Sequence, residues 1–241
     1  MTNRNYNQEY QDNDRKYAYD FDNVLRTYMM QTVLNYRPGG KVLEMGCFKG
    51  EFTEILTRHF DDITVIEASD ELLNYTRERV AKHVKFIHST FETFDGGDKY
   101  DTIFLMHTLE HLDDPVGVLK KVKQWLTPEG RLFLICPNAN APSRQIAVKM
   151  GLISHNSAIT PAERDHGHRN TYSLDTLERE AFQAGLTTMH RGGIFFKALA
   201  NYQFDKLMNT DIISKEYLDG CYQLGMLYPD LCASIYVVCK A

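Results

Sequence analysis

The chain has 241 residues, 43% of them hydrophobic and 24% charged, which suffices for a full core within one large domain. A net charge of −5, with no cluster of Lys and Arg interleaved with aromatics, argues against a nucleic-acid partner. No apolar run approaches the ~20 residues that cross a bilayer, and Met1 to Arg15 lacks the pattern of a secretory signal, so a cytoplasmic protein without a membrane partner is expected. The five cysteines, Cys47, Cys136, Cys221, Cys232 and Cys239, are odd in number and form no CxxC pair, which predicts buried, reduced thiols.

In chain order, Phe21, Val24, Leu25, Tyr28 and Thr32 follow helical spacing until Pro38-Gly39-Gly40 stops the segment. Lys41 to Gly46 reads as a strand breaking at a glycine, and Phe52, Ile55, Leu56 and Phe60 return to helical spacing. The alternation continues with a strand at Ile63 to Ala68, a helix at Glu71 to Val80, and strands at Val84 to Ser89 and Tyr100 to Met106. Asp114-Pro115 then caps a helix predicted to carry Val116, Leu119, Val122 and Leu126 inward before a strand at Gly130 to Cys136. Further on, Pro142 to Met150 reads as a helix and Gly151 to Thr171 as a loop. Ser173 caps a helix with Leu174, Leu177, Ala181 and Phe182 on one face, followed by strands at Leu186 to Phe196 and Ala233 to Cys239. The roughly 35 residues between those last strands are too long for a hairpin loop and read as a helical cap over 197–231. Continuous apolar strands alternating with helices imply a doubly wound α/β fold, here a seven-stranded, mostly parallel sheet covered on both faces.

Ligands of such sheets bind at the carboxyl ends of the strands. The first turn there, Glu44-Met45-Gly46-Cys47-Phe48-Lys49-Gly50, lets backbone approach a ligand, and Glu67, 23 residues after Glu44, can accept the hydroxyls of a ribose. A nicotinamide fingerprint fails twice, because Phe48 and Glu51 stand where GxGxxG needs glycines.

Glu44, Gly46 and Gly50, followed by Glu67 and by His107-Thr108-Leu109-Glu110-His111-Leu112-Asp113-Asp114-Pro115, resemble class I S-adenosylmethionine-dependent methyltransferases acting on small molecules. Nearly the whole chain shares the resemblance, and His168-Arg169 with Tyr172-Ser173 through Ala184-Gly185 is similar to a second segment of that subgroup. Phe48 replaces the family's middle glycine. The resemblance implies S-adenosylmethionine as cofactor and one domain over 1–241, with an N-terminal lid over 1–20 and an acceptor-side loop over 151–172. It places the cofactor against Glu44, Gly46, Cys47, Phe48, Gly50, Glu67, Ala68, Met106, His107 and Tyr17, with Ser89, Thr90 and Phe91 holding the adenine.

His107, His168 and His111 are the candidate bases, since an imidazole with an ordinary pKa near ~6.5 suits removal of a hydroxyl proton. His107 could equally pack under the following loop, and His111 could be structural. Glu110, Asp113 and Asp114 could cap the following helix. His155 and His166 extend the histidine group and Asp165 adds an oxygen, yet no third ligand stands at a fixed short spacing, so no metal is expected. Tyr17, Tyr19 and Phe21 could be core aromatics or a lid. Phe195, Phe196, Tyr202, Phe204 and Met208 read as core or cap packing. These features point to direct methyl transfer to a hydroxyl of a sugar or specialised metabolite; N-methylation of a small amine and a non-catalytic cofactor-binding module are the alternatives. The long cap offers a surface for a homodimer.

Overall fold

The structure is a computed structural model that describes residues 4–7, 19–80 and 83–241. Its order is α1 (Asp20–Leu34), β1 (Val42–Met45), α2 (Glu51–Leu56), β2 (Ile63–Glu67), α3 (Asp70–Arg79), β3 (Val84–His88) and β4 (Tyr100–Met106). There follow α4 (Pro115–Trp125), β5 (Leu126–Pro137), α5 (Pro142–Lys149), α6 (Pro161–Asp165), α7 (Leu174–Gln183) and β6 (Thr187–Phe196). The chain closes with α8 (Asn201–Met208), α9 (Lys215–Leu227) and β7 (Cys232–Lys240).

The seven strands lie in the order β3-β2-β1-β4-β5-β7-β6. All neighbours through β5 are parallel, and β7 runs antiparallel to both β5 and β6. Every residue of β1 and β2 is buried, as a strand covered on both faces requires. One apolar core sits under α4 and α7 around Leu119, Leu177 and Ile235, and a second under α1, α2, α8 and α9 around Phe21, Phe104 and Phe204. The chain winds outward from β1 to β3 and then returns to β4, so the carboxyl ends of β1 and β4 border the crevice where such sheets hold ligands.

Several local expectations are revised by packing. In α4 the buried residues are Val118, Leu119, Val122 and Trp125; Val116 is half-buried, and Leu126 already opens β5 by pairing with Tyr100. The strand thus begins four residues before Gly130, with a register shift that sets Thr127 to Gly130 against Asp101. Phe182, expected inward, is 76% exposed because it lies about 100° of helical turn from Ala181, beside the apolar stripe. The loop over 151–172 contains α6, which a capping box starts: Thr160 and Glu163 exchange hydrogen bonds with each other's backbone, and Pro161 fills the first turn. The five cysteines are free and buried, as expected.

The segment over 197–231 forms two helices that close on α1. Phe21 stacks on Phe204 at 4.2 Å and meets Phe195 edge-on at 5.4 Å. Asp205 accepts from the Phe21 N–H at 2.9 Å, the Tyr28 hydroxyl donates to Asp219 at 2.7 Å, and Thr32 and Tyr222 share a hydrogen bond at 3.0 Å. Among the described residues, no helix is long and apolar enough to cross a membrane.

Candidate active site

A cavity of about 560 Å³ opens at the carboxyl ends of β1, β2, β4 and β5, and α1, the start of α5, α6 with the segment after it, and the start of α8 form its other walls. The turn after β1 builds one wall. Gly46 has φ +81°, and a β-carbon there would come within 3.2 Å of Thr108, so glycine meets both the backbone angle and the close approach. Phe48, where the family has a glycine, also sits at φ +50°, a left-handed angle that a side-chain-bearing residue adopts only under constraint from its surroundings.

Part of that constraint comes from Glu67. One carboxylate oxygen accepts from the N–H groups of Cys47 at 3.0 Å and Phe48 at 3.4 Å, while the other accepts from Ser69 at 2.9 Å. The acid at the end of β2 therefore ties together the two turns that flank the cavity. Glu44 lies beneath them, 2% exposed, and its Oε2 has no hydrogen-bond partner among the described residues. Burial pushes its carboxyl up to about 8, with Arg26 opposing the shift. A buried carboxylate without a donor is costly alone, and a cationic ligand group would compensate it.

The opposite wall grows from β4. His107 follows that strand at φ +50°, its N–H donates to the Ile135 carbonyl at 2.8 Å, and its Nε2 lies 2.9 Å from the Ser234 hydroxyl. Burial, aided by Arg26 and His168, lowers its pKa to about 3. A one-turn 3-10 helix, Leu109–His111, then turns Glu110 inward. The Glu110 carbonyl accepts from the N–H groups of Arg169 at 2.8 Å and Asn170 at 3.0 Å, which docks the distant loop onto this turn. The His111 and His168 rings consequently meet edge-on, 4.6 Å apart. Burial holds His168 down at about 4 and His111 well below its usual value, so all three imidazoles are neutral at pH 7.

Glu110 is 2% exposed, neither of its carboxylate oxygens has a hydrogen-bond partner among the described residues, and burial pushes it up to about 8. One ligand atom each from Glu110, His111 and His168 lies within 4.8 Å of the others, a set able to hold a divalent cation. The loop from α6 thus supplies the third ligand that sequence spacing does not show.

Glu44, Gly46, Cys47, Phe48, Glu67, Ala68, Phe91, Met106, His107, His111 and His168 all line the cavity. Gly50, Ser89 and Thr90 do not. Gly50 has φ +81° and starts α2, where a β-carbon would strike Thr76 at 2.6 Å, so its smallness serves packing against α3. Ser89 donates to the Thr90 carbonyl at 2.9 Å, and both hydroxyls bond Thr93, a local use of short polar side chains. Tyr17 lies outside the described residues. His155 bonds Ser154 away from the cavity, whereas His166 lines it.

Sequence reading also missed several wall residues. Arg26 lies one helical turn beyond Asp22 on α1, and both reach the cavity, a spacing that could have drawn attention to them. Asn138, Lys197 and Ser234 arrive from β5, the end of β6 and β7 with no local motif to mark them.

A family model described as a methyltransferase domain matches residues 9–191. The chain belongs to that methyltransferase family. It is an S-adenosylmethionine-dependent methyltransferase of the Rossmann-like class. The ubiquinone biosynthesis O-methyltransferase of Aeromonas salmonicida is 28% identical over 179 residues, covering 72% of this chain and 74% of that protein. The N-methyltransferase NodS of Bradyrhizobium japonicum, solved with S-adenosylhomocysteine, is 18% identical with a TM-score of 0.61, covering 96% of this chain and 97% of that one. A Thermotoga maritima protein described as a possible histamine N-methyltransferase shares the fold at 18% identity and a TM-score of 0.62, covering 90% and 91% of the two chains.

Proposed function

We propose that this methyltransferase transfers a methyl group to a hydroxyl of a small molecule, a sugar or specialised metabolite. The observation that carries this reading is the enclosed wall opposite Glu67, where His107, His111 and His168 present neutral imidazoles at pH 7 to a cavity of small-molecule size. Neutral imidazoles can accept a hydrogen bond from a hydroxyl. The 28% identity to an O-methyltransferase supports oxygen as the acceptor atom.

In this reading Glu44 takes the ammonium of the cofactor's methionine end, which its partnerless oxygen fits, and Arg26 takes the carboxylate. Glu67 accepts a ribose hydroxyl with the one lone pair that its three N–H donors leave on Oε1, and Phe91 and Leu72 flank the adenine. S-adenosylmethionine supplies an electrophilic methyl on sulfur. The protein's remaining work is to align the acceptor oxygen and exclude water, which supplies effective molarities of ~10⁵ M or more. Arg4, bonded to the His111 carbonyl at 3.0 Å, and Asn7, accepting from the Ser69 hydroxyl at 2.7 Å, bridge the two cavity walls as part of an N-terminal lid. The start of α5, α6 with the segment after it, and the start of α8 border the space for the acceptor.

Calorimetry with S-adenosylhomocysteine and mass analysis of products from hydroxyl and amine panels test the reading. Tight binding with an O-methylated product is expected; absence of binding, or methylation of amines alone, sinks it. One observation favours a metal-assisted variant of the same transfer, namely the convergence of Glu110, His111 and His168. A cation there would lower the pKa of an acceptor hydroxyl. A rise in Tm on adding Mn²⁺ or Zn²⁺, lost in His168→Ala, would support it, and an unchanged Tm would remove it.

A further inference from the structure

Lys197 is 7% exposed at the end of β6, yet it lines the cavity. Its ammonium nitrogen donates to the Leu199 carbonyl at 3.0 Å and to the Asn201 side-chain oxygen at 2.5 Å. Both acceptors are neutral, and no carboxylate forms an ion pair with it among the described residues. Two partners saturate the two N–H bonds of a neutral amine and leave its lone pair free; a charged ammonium would have a third N–H to place. The backbone reaches this position through Phe195 at φ +68°, a left-handed angle on a bulky residue that puts Ile194 and Phe195 on the same core and re-aims the strand end. Aliphatic packing alone would not call for an amine here, since burying one without a counter-charge is costly.

The three imidazoles are poor proton acceptors in their surroundings, because burial holds His107 near 3 and His168 near 4. The same burial brings Lys197 down to about 8, with Asp22 opposing the shift. Around it, the titratable or charged groups that line the cavity are Tyr19, Asp22 and Arg26 from α1 and its cap, and Tyr202 from α8; β7 contributes Ala233 and Ser234, which do not titrate. Asp22 is one step removed, accepting from the Asn201 amide at 2.6 Å and from the Tyr19 N–H at 2.7 Å. A small fraction of the amine is neutral at pH 7 and about half at pH 8.

Resting on the proposed O-methylation, we infer that Lys197 is the general base of this enzyme and contacts the acceptor hydroxyl directly. Its lone pair takes the hydroxyl proton as the oxygen forms its bond to the methyl carbon and the methyl–sulfur bond breaks, leaving methyl ether, S-adenosylhomocysteine and an ammonium. That ammonium returns its proton to water when product leaves. The histidines then orient the acceptor through hydrogen bonds.

The test measures kcat/KM against pH with 4-hydroxybenzoate and methyl glucoside as hydroxyl probes, in the wild type, Lys197→Met and Lys197→Arg. Calorimetry with S-adenosylhomocysteine and a ¹³Cε lysine titration of the cofactor-saturated protein accompany it. The expected results are a wild-type rate that rises with an ionisation near 8, and a loss of ~10²-fold or more in both variants with that ionisation gone. S-adenosylhomocysteine affinity should stay within about twofold, because Lys197 lies outside the proposed cofactor contacts. Arginine keeps charge and bulk but cannot release a proton in this range, so an active Lys197→Arg overturns the inference. A Lys197 titration midpoint at the ordinary 10.5 overturns it even if neither probe turns over. An O-methylated product with a Lys197-independent pH profile rejects only this inference, whereas exclusive amine methylation rejects the proposed function beneath it.

Discussion

The two halves of the cavity are built differently. On the proposed cofactor side, Glu44, Gly46, Phe48 and Glu67 come from two adjacent parallel strands and the short turns after them, held by backbone donors onto one carboxylate. On the proposed acceptor side, His107 follows β4, Ser234 comes from β7, His168 from the segment after α6 and Lys197 follows β6, and α8 and α9 hold that assembly against α1. A short-range wall depends on a few local contacts. A long-range wall depends on the packing of the whole cap, so the two should fail independently.

Phe204→Ala provides the strongest break. Phe204 is 1% exposed and stacks on Phe21, so truncation should cost ~3–5 kcal/mol and loosen α8 from α1. Thermal unfolding should show the loss, and where the variant remains folded, acceptor turnover should fall more than S-adenosylhomocysteine affinity. Equal losses would mean that the two walls are one cooperative unit.

Glu67→Ala strikes the other side. It leaves three backbone N–H groups without an acceptor, at ~1–3 kcal/mol for each one that water does not reach, and removes the proposed ribose contact. Cofactor Kd should rise about 100-fold, equivalent to ~2.7 kcal/mol, by calorimetry. An unchanged Kd would deny Glu67 its role.

A pH series separates the halves by charge. Glu44 and Glu110 have carboxyls raised to about 8, so the folded state holds protons that the unfolded state has released, and both groups subtract stability as pH rises from about 4.5 to 8. His107 and His168, lowered to about 3 and 4, act oppositely: the unfolded state binds the extra protons, and stability rises with pH up to about 6.5. The contributions of these four groups oppose each other below 6.5; above it the carboxyls still subtract stability, and Lys197, lowered to about 8, begins to act against them as the window closes. The cofactor-free stability should therefore fall between pH 6.5 and 8, by at most ~1.4 kcal/mol per carboxyl per pH unit, and the Tm with it. Glu44→Gln should flatten that fall and weaken cofactor binding about tenfold, or ~1.4 kcal/mol. A fall that persists unaltered in Glu44→Gln would place the titration elsewhere.

Phe182→Ser is the smallest test. Because Phe182 is 76% exposed, stability should move by no more than ~0.5 kcal/mol in chemical denaturation. A larger loss would show that the helical stripe read from sequence extends to Phe182 after all.

The same contrast explains what was legible before folding. The apolar runs of β1 and β2, the capped starts of α4 and α7, and the glycine turn with its two acids are local patterns, each fixed by the period of the chain or the angle of a single residue. They determined the sheet, the family and Glu44, Gly46, Phe48 and Glu67 as cavity residues. Tertiary structure alone decided that Gly50 packs on Thr76, that Ser89 and Thr90 bond locally, and that Glu110, His111 and His168 converge. It also turned Lys197 into a desolvated amine on the wall and drew the histidine pKa values down. Sequence records residue types and spacing along the chain; burial, and the meeting of groups from β4, β6, β7 and a distant loop, exist only once the chain has packed.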